Sequence, residues 1–192
     1  MHRRAELVDQ TRLRITEAAV RLHTTVGPAN TSISSVADEA GVTRLTVYRH
    51  FPDLEHLFDA CRGHWMALHP APDPSAWLAV PDLETRARMA FDALYGWYRE
   101  NADDMFPINR DELAMPAETQ RARAEESGGL ADALVAGHVG QDRRGRALRA
   151  VAGHLTGYWT WRSLEVEQGL APDAAVDLAV RLLVATAATP AT

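Results

Sequence analysis

The sequence contains no lysine. All twenty basic residues are arginine, a usage of the kind that codon bias in a GC-rich genome produces. It has one cysteine, Cys61, so no intrachain disulfide can form and a reducing compartment is the default. No apolar run approaches the roughly 20 residues that a membrane helix needs. The opening "MHRRAELVDQTRLRI" lacks the apolar core of a secretory signal. These absences set the expectation of a cytoplasmic protein with no membrane partner. Catalytic signatures are also missing. There is no G-x-S-x-G, no phosphate loop, no H-E-x-x-H and no dinucleotide fingerprint, and the carboxylates fall on polar helix faces. The chain therefore reads as a non-enzyme that needs no cofactor.

What is present suits a folded, helical protein. Of 192 residues, 46% are apolar, enough for a buried core, and the net charge of −6 argues against a generic nucleic-acid sponge. The charge is uneven. Residues 1–52 hold seven Arg against five acids, a balance of +2, and the remainder holds thirteen against twenty-one, a balance of −8. A basic N-terminal part joined to an acidic remainder fits a DNA contact at one end and a different task at the other.

Apolar periodicity is helical and strand-like alternation is nearly absent, which gives an all-α fold class. Ile15, Ala18, Ala19, Leu22 and Val26 form one stripe, and Gly27-Pro28 ends that helix. "NTSIS" offers caps for a second helix that Gly41 breaks, Thr43 caps a third, and Phe51-Pro52 closes it. A fourth helix fits residues 53–69. "PAPDPS" at 70–75 reads as a turn or hinge. Beyond it come helices over "DLETRARMAFDALYGWYREN", Ala102–Arg110, "MPAETQRARAEESGGLADALVAGHV", "DRRGRALRAVAGHLTGYWTWRSLEVEQ" and "APDAAVDLAVRLLVATAA". The expected division is a three-helix DNA-binding domain at 1–52 and a helical-bundle ligand-binding and dimerisation domain at 53–192, connected by the helix at 53–69.

The segment "VADEAGVTRLTVYRHF" carries the functional signal. Ile33, Val36, Ala37 and Ala40 give one helix an apolar face, Gly41 tolerates the positive φ of a tight turn, and Val42 and Val47 supply the buried side of the next helix. This is a helix-turn-helix. The free face of its second helix carries Thr43, Arg44, Leu45, Thr46, Tyr48, Arg49 and His50. Arg44, in the first turn, is placed to bond a guanine edge. Thr46 suits a thymine methyl or a phosphate, and Tyr48 and His50 suit phosphates. Thr31 and Ser32 offer hydroxyls and free amides to a further phosphate, and the N-terminal arginines add charge.

The stretch "ITEAAVRLHTTVGPANTSISSVADEAGVTRLTVYRHFPDLEHLF" resembles the DNA-binding domain of the TetR family of bacterial transcriptional regulators, over Ile15 to Phe58. The resemblance implies an all-helical homodimer on a double-stranded DNA operator, with a C-terminal domain whose small-molecule effector usually releases the DNA. Two positions depart from the family pattern. His23 stands where an aromatic is common. Leu54 stands where a lysine is common, leaving the backbone amides of the fourth helix's first turn to serve that phosphate.

The rest of the chain is less specific. His56, Cys61, His64 and His69 crowd one helix, but His56 and His64 are eight residues apart, about 12 Å along it, and no metal site is assigned. Phe91, Tyr95, Tyr98, Phe106, His154 and Tyr158 are the candidates to line an effector cavity, since core residues and cavity walls share these types. Leu148, Val151, Leu155, Leu178 and Leu182 lie on the stripes of the last two helices and are the candidate dimer interface. In the family these helices pair with their symmetry mates. The functional expectation is a repressor released from a palindromic operator by a small, mostly apolar molecule. The alternative is an activator, or a regulator working through a protein partner.

Overall fold

The computed structural model describes residues 2–188, with side chains from residue 6 onward. Eleven α-helices follow one another among the described residues: α1 (His2–Thr25), α2 (Ile33–Ala40), α3 (Arg44–His50), α4 (Leu54–Leu68), α5 (Ser75–Leu78), α6 (Leu83–Glu100), α7 (Ala102–Arg110), α8 (Ala117–Val135), α9 (Arg143–Leu155), α10 (Tyr158–Trp161) and α11 (Pro172–Ala188). No strand occurs among the described residues. They form two compact units, one of residues 2–70 with 101–122 and the other of 71–100 with 123–188. The first unit thus extends past residue 52: it includes α4, and α7 returns to it.

The first unit is built on the stripe of α1. Ile15, Ala18 and Ala19 are fully buried and join Val36, Ala37, Val47, Phe51, Leu57 and Cys61 in one cluster. The turns that aim these side chains are locally encoded. Ser32 and Ser35 cap α2 reciprocally, each side chain bonding the other's backbone N–H, a device that contributes about 1 kcal/mol. Gly41 ends α2 at φ 64°, and Val42 N–H reaches back to the carbonyl of Ala37 at 2.9 Å. This left-handed cap puts Val42 against the same cluster. Thr43 caps α3 through the Thr46 amide, and Asp53 caps α4 through the His56 amide.

The second unit centres on α6, which buries Leu83, Ala87, Ala90, Phe91, Leu94, Tyr95 and Tyr98. It also buries Arg86, only 4% exposed. The guanidinium donates to the carbonyls of Val80 (2.7 Å), Leu134 (3.4 Å) and Ala136 (2.6 Å), so its charge satisfies the C-terminal end of α8. The segment read as a turn or hinge, 70–75, leads directly into the short helix α5, which starts at Ser75 and is anchored by the buried Trp77. The single helix expected from "DRRGRALRAVAGHLTGYWTWRSLEVEQ" is broken. α9 ends at Leu155, Gly157 is extended at φ −77° and ψ 144°, and α10 runs into a π-helical turn over Arg162–Glu167. Two tyrosines of α6 make the break tenable. Tyr95 and Tyr98 donate their hydroxyls to the carbonyls of Leu155 and Thr156, which a continuous helix would have paired internally.

Candidate nucleic-acid interface

α3 is seven residues long, and its sequence divides it cleanly. Val47 is fully buried, whereas Leu45 is 78% and Tyr48 46% exposed. Arg44 and Arg49 are also exposed, and Thr46 and His50 are half-buried. The helix-turn-helix therefore presents Arg44, Leu45, Tyr48 and Arg49 together outward. Arg44 sits at the first helical position, where the N-terminal end of a recognition helix meets base edges.

The hydroxyl-bearing candidates are placed differently. Thr43 Oγ1 accepts from the Thr46 amide and lies 2.9 Å from Thr46 Oγ1. Ser32 Oγ accepts from the Ser35 amide, and Thr31 donates to the carbonyl of Gly27 at 2.9 Å. Thr31 thus commits its hydroxyl proton to its own turn, whereas Ser32 and Thr43 hold their turns as acceptors and can still turn an O–H toward a phosphate.

Two arginines of α1 that sequence reasoning missed organise this face. Arg12 donates to the His50 carbonyl at 2.6 Å, and its guanidinium lies 4.2 Å over the Phe51 ring. It therefore closes the C-terminal end of α3. The available signal was spacing, because Arg12 is three residues before Ile15 on the same stripe. Arg21 pairs with Glu39 at 2.9 Å, tying α1 to α2. Of the N-terminal arginines, Arg3 and Arg4 lie outside the residues whose side chains are described. Partial burial, then the charges of Arg49 and Arg12, hold the His50 imidazole below its usual range. At neutral pH His50 offers a phosphate a neutral N–H.

The two departures from the family pattern have visible consequences. His23 is buried and stacks on Phe58, with centroids 4.5 Å apart and planes at 26°. It packs as an aromatic would, and burial pushes its pKa down to about 4. Leu54 is half exposed at the start of α4. There the Asp53 carboxylate already accepts the His56 amide at 2.9 Å and pairs with the His56 ring at 2.7 Å. The turn's amides are partly occupied by its own cap, and an acid stands where a cation would favour phosphate.

The candidates of the second unit do not all come together. Phe91 and Tyr95 are neighbours, with centroids 5.6 Å apart. Tyr98 meets Tyr158 edge-on at 5.7 Å. Both rings also contact Trp161, which the sequence reading did not select, at 5.9 and 5.4 Å. Burial pushes the Tyr98 phenol up to about 12. The indole Nε1–H of Trp161 is buried with no hydrogen-bond partner. His154, by contrast, is exposed, and Phe106 belongs to α7 in the first unit. Among the interface candidates, Leu148 and Leu155 are buried within the second unit itself, at 1% and 2% exposure. Val151 and Leu178 are half-buried and Leu182 is exposed, as is Trp159. Cys61 is buried, and its thiol faces the Thr16 carbonyl at 3.8 Å. Among the described residues, no three His, Cys, Asp or Glu side chains gather in a way that could hold a metal. No described helix is long and apolar enough to cross a membrane.

Residues 15–61 match the family of bacterial regulatory proteins, tetR family. A search of curated proteins gives no significant match. Among solved structures, the chain is similar to a TetR-like transcriptional regulator from Rhodococcus sp. RHA1, with 18% identity over 94% of this chain and 97% of that one and a TM-score of 0.55. It is also similar to NalD, the secondary repressor of the MexAB-OprM multidrug efflux pump in Pseudomonas aeruginosa, with 22% identity, coverage of 93% and 96%, and a TM-score of 0.53. These likenesses fix the fold along nearly the whole chain. The matched module carries the helix-turn-helix whose outward face is described above. Residues 15–61 thus carry the helix-turn-helix module of the bacterial regulatory proteins of the tetR family, and the chain shares the fold of the solved TetR-like regulators.

Proposed function

We propose that the chain is a repressor that binds a palindromic operator as a homodimer and is released by a small, mostly apolar molecule. In this reading residues 1–52 contact DNA, residues 53–192 dimerise and take the effector, and the helix at 53–69 connects them. Arg44 reads a base. Tyr48, Arg49 and His50 hold phosphates with hydroxyl protons donated by Ser32, Thr43 and, once turned from the Gly27 carbonyl, Thr31, and with the open amides of the first turn of α2. Leu45 and Thr46 touch the groove wall.

The observation that carries the effector reading is the Trp161 indole. A buried N–H without an acceptor costs about 1–3 kcal/mol. Among the rings of Tyr98 and Tyr158 it is suited to a flat molecule bearing one acceptor atom. The dimer reading is supported by the apolar side chains of Leu182 and Trp159, 47% and 46% exposed. A two-fold dimer implies a two-fold operator. NalD, which shares the fold, is itself a repressor.

The test is transcription in vitro from a promoter that the protein binds. Output should fall as protein is added, and at least one molecule from a panel of apolar aromatics should restore it. Output that rises with protein would make the chain an activator. Repression that no small molecule relieves, but that a second protein alters, would favour control through a partner.

A further inference from the structure

The C-terminal end of α7 grips one turn of the DNA-binding module by its main chain. Asp111 Oδ2 accepts the Ala29 N–H at 3.1 Å. Arg110 donates to the Val26 carbonyl at 3.0 Å, and to both Asp111 oxygens at 2.7 and 2.9 Å. The carboxylate is well shielded, its side chain 8% exposed, and the Arg110 guanidinium and the Ala29 amide hold it below the usual carboxylate range. Gly27 lies under this pair. Its φ is 93°, and a Cβ there would collide with the ends of both Asp111 and Arg110. The turn has the residue that lets the two side chains approach its backbone.

What the clamp holds is the approach to the DNA face. The gripped residues 26–30 are followed at once by Thr31 and Ser32, the cap of α2. Thr31 and Asn30 fold back onto the same turn, bonding the Gly27 and Val26 carbonyls. The module's apolar cluster comes from α1, α2, α3 and α4, with no residue of α7. The helix-turn-helix therefore keeps its own core without the clamp, and the clamp bears on the turn that leads into the α2 N-terminus.

We infer that Arg110 and Asp111 are positioning residues for DNA binding: they set the Val26–Asn30 turn and through it the α2 N-terminus that meets a phosphate. The inference rests on the reading of Thr31 and Ser32 as phosphate contacts. A displaced helix N-terminus loses its amide bonds to the anion while the fold survives.

The test uses the full chain and a labelled duplex selected by the wild-type protein from a random-sequence pool. For wild type, Asp111→Ala, Asp111→Asn and Arg110→Ala, both the Kd and the binding-competent fraction are measured, the latter by stoichiometric titration. Asp111→Ala and Arg110→Ala should weaken Kd by about tenfold, the loss of one charge-assisted bond, with the competent fraction unchanged. Asp111→Asn should recover part of the affinity, because its amide oxygen still accepts the Ala29 N–H. An unchanged Kd in variants that remain competent would overturn the inference. So would a loss confined to the competent fraction in both Asp111 variants, which is what a purely structural role gives. Failure of the wild-type protein to select any duplex would instead remove the DNA reading on which the inference stands.

Discussion

Tyr98 donates its hydroxyl to the main-chain carbonyl of Thr156 across 2.7 Å, and both residues are buried. The bond fills a vacancy made by the chain itself, because the helix stops at Leu155 and frees its last carbonyls. Tyr98→Phe keeps the ring and leaves that carbonyl without its phenolic donor. The expected loss is about 1–3 kcal/mol, seen as a fall of several degrees in Tm by circular dichroism. A Tm equal to wild type would mean that the break is held by other contacts.

His23 makes stability depend on pH. Its pKa is about 4 when buried and 6.5 when exposed, so the unfolded chain binds more protons between those values. The contribution of neutral His23 is complete above about pH 6.5 and is lost as pH falls toward 4. At most this is on the order of 3 kcal/mol. His23→Phe keeps the stack on Phe58 and removes the titrating group. Thermal unfolding at pH 7 and pH 5 should show a smaller fall for the variant. An equal fall in both proteins would assign the acid sensitivity elsewhere.

Reading and holding should separate on α3. Arg44→Ala should cost about 1–3 kcal/mol on the selected duplex and relax discrimination at one base position. Tyr48→Phe removes only a hydroxyl and should weaken selected and scrambled DNA alike, by about 1 kcal/mol. Titrations of each variant against both duplexes at one salt concentration check this. Equal weakening by Arg44→Ala on both would make Arg44 a phosphate clamp and move specificity to Thr46, Leu45 or DNA shape.

Leu182 is exposed on α11 in a single chain. If it lies in a dimer interface, Leu182→Glu buries an unpaired charge at a cost of several kcal/mol. Sedimentation should then show monomers, and operator binding should fail with them, since two recognition helices about 34–36 Å apart are needed for successive groove faces. A variant that stays dimeric and binds normally would exclude this face.

The helix-turn-helix was legible because its signals are local. Ser32, Gly41 and Thr43 each fix a turn by their own chemistry, and the Ile15 stripe names the core. The Ala102–Arg110 helix was legible for the same reason. The break after Leu155 was not, since Tyr95 and Tyr98 stabilise it from α6, sixty and fifty-eight residues away in sequence. Arg86 was unreadable for a similar reason: an arginine that caps another helix's carbonyls looks, in sequence, like surface. In the second unit, aromatic stripes mark buried rings without saying which rings meet. Tyr158 and Trp161 share a cluster with Tyr98, whereas His154, on the same expected face, points to solvent because Gly157 turns the chain between them.

The central claim is that the outward face of α3 and the α2 N-terminus grip a DNA backbone. Salt tests it most directly, because each neutralised phosphate releases counterions. Affinity for the selected duplex should fall by about 10³–10⁵-fold between about 50 and 200 mM salt, the response of roughly 6–10 phosphate contacts. An affinity that stays nearly flat over that range would contradict the account and leave the helix-turn-helix as architecture alone.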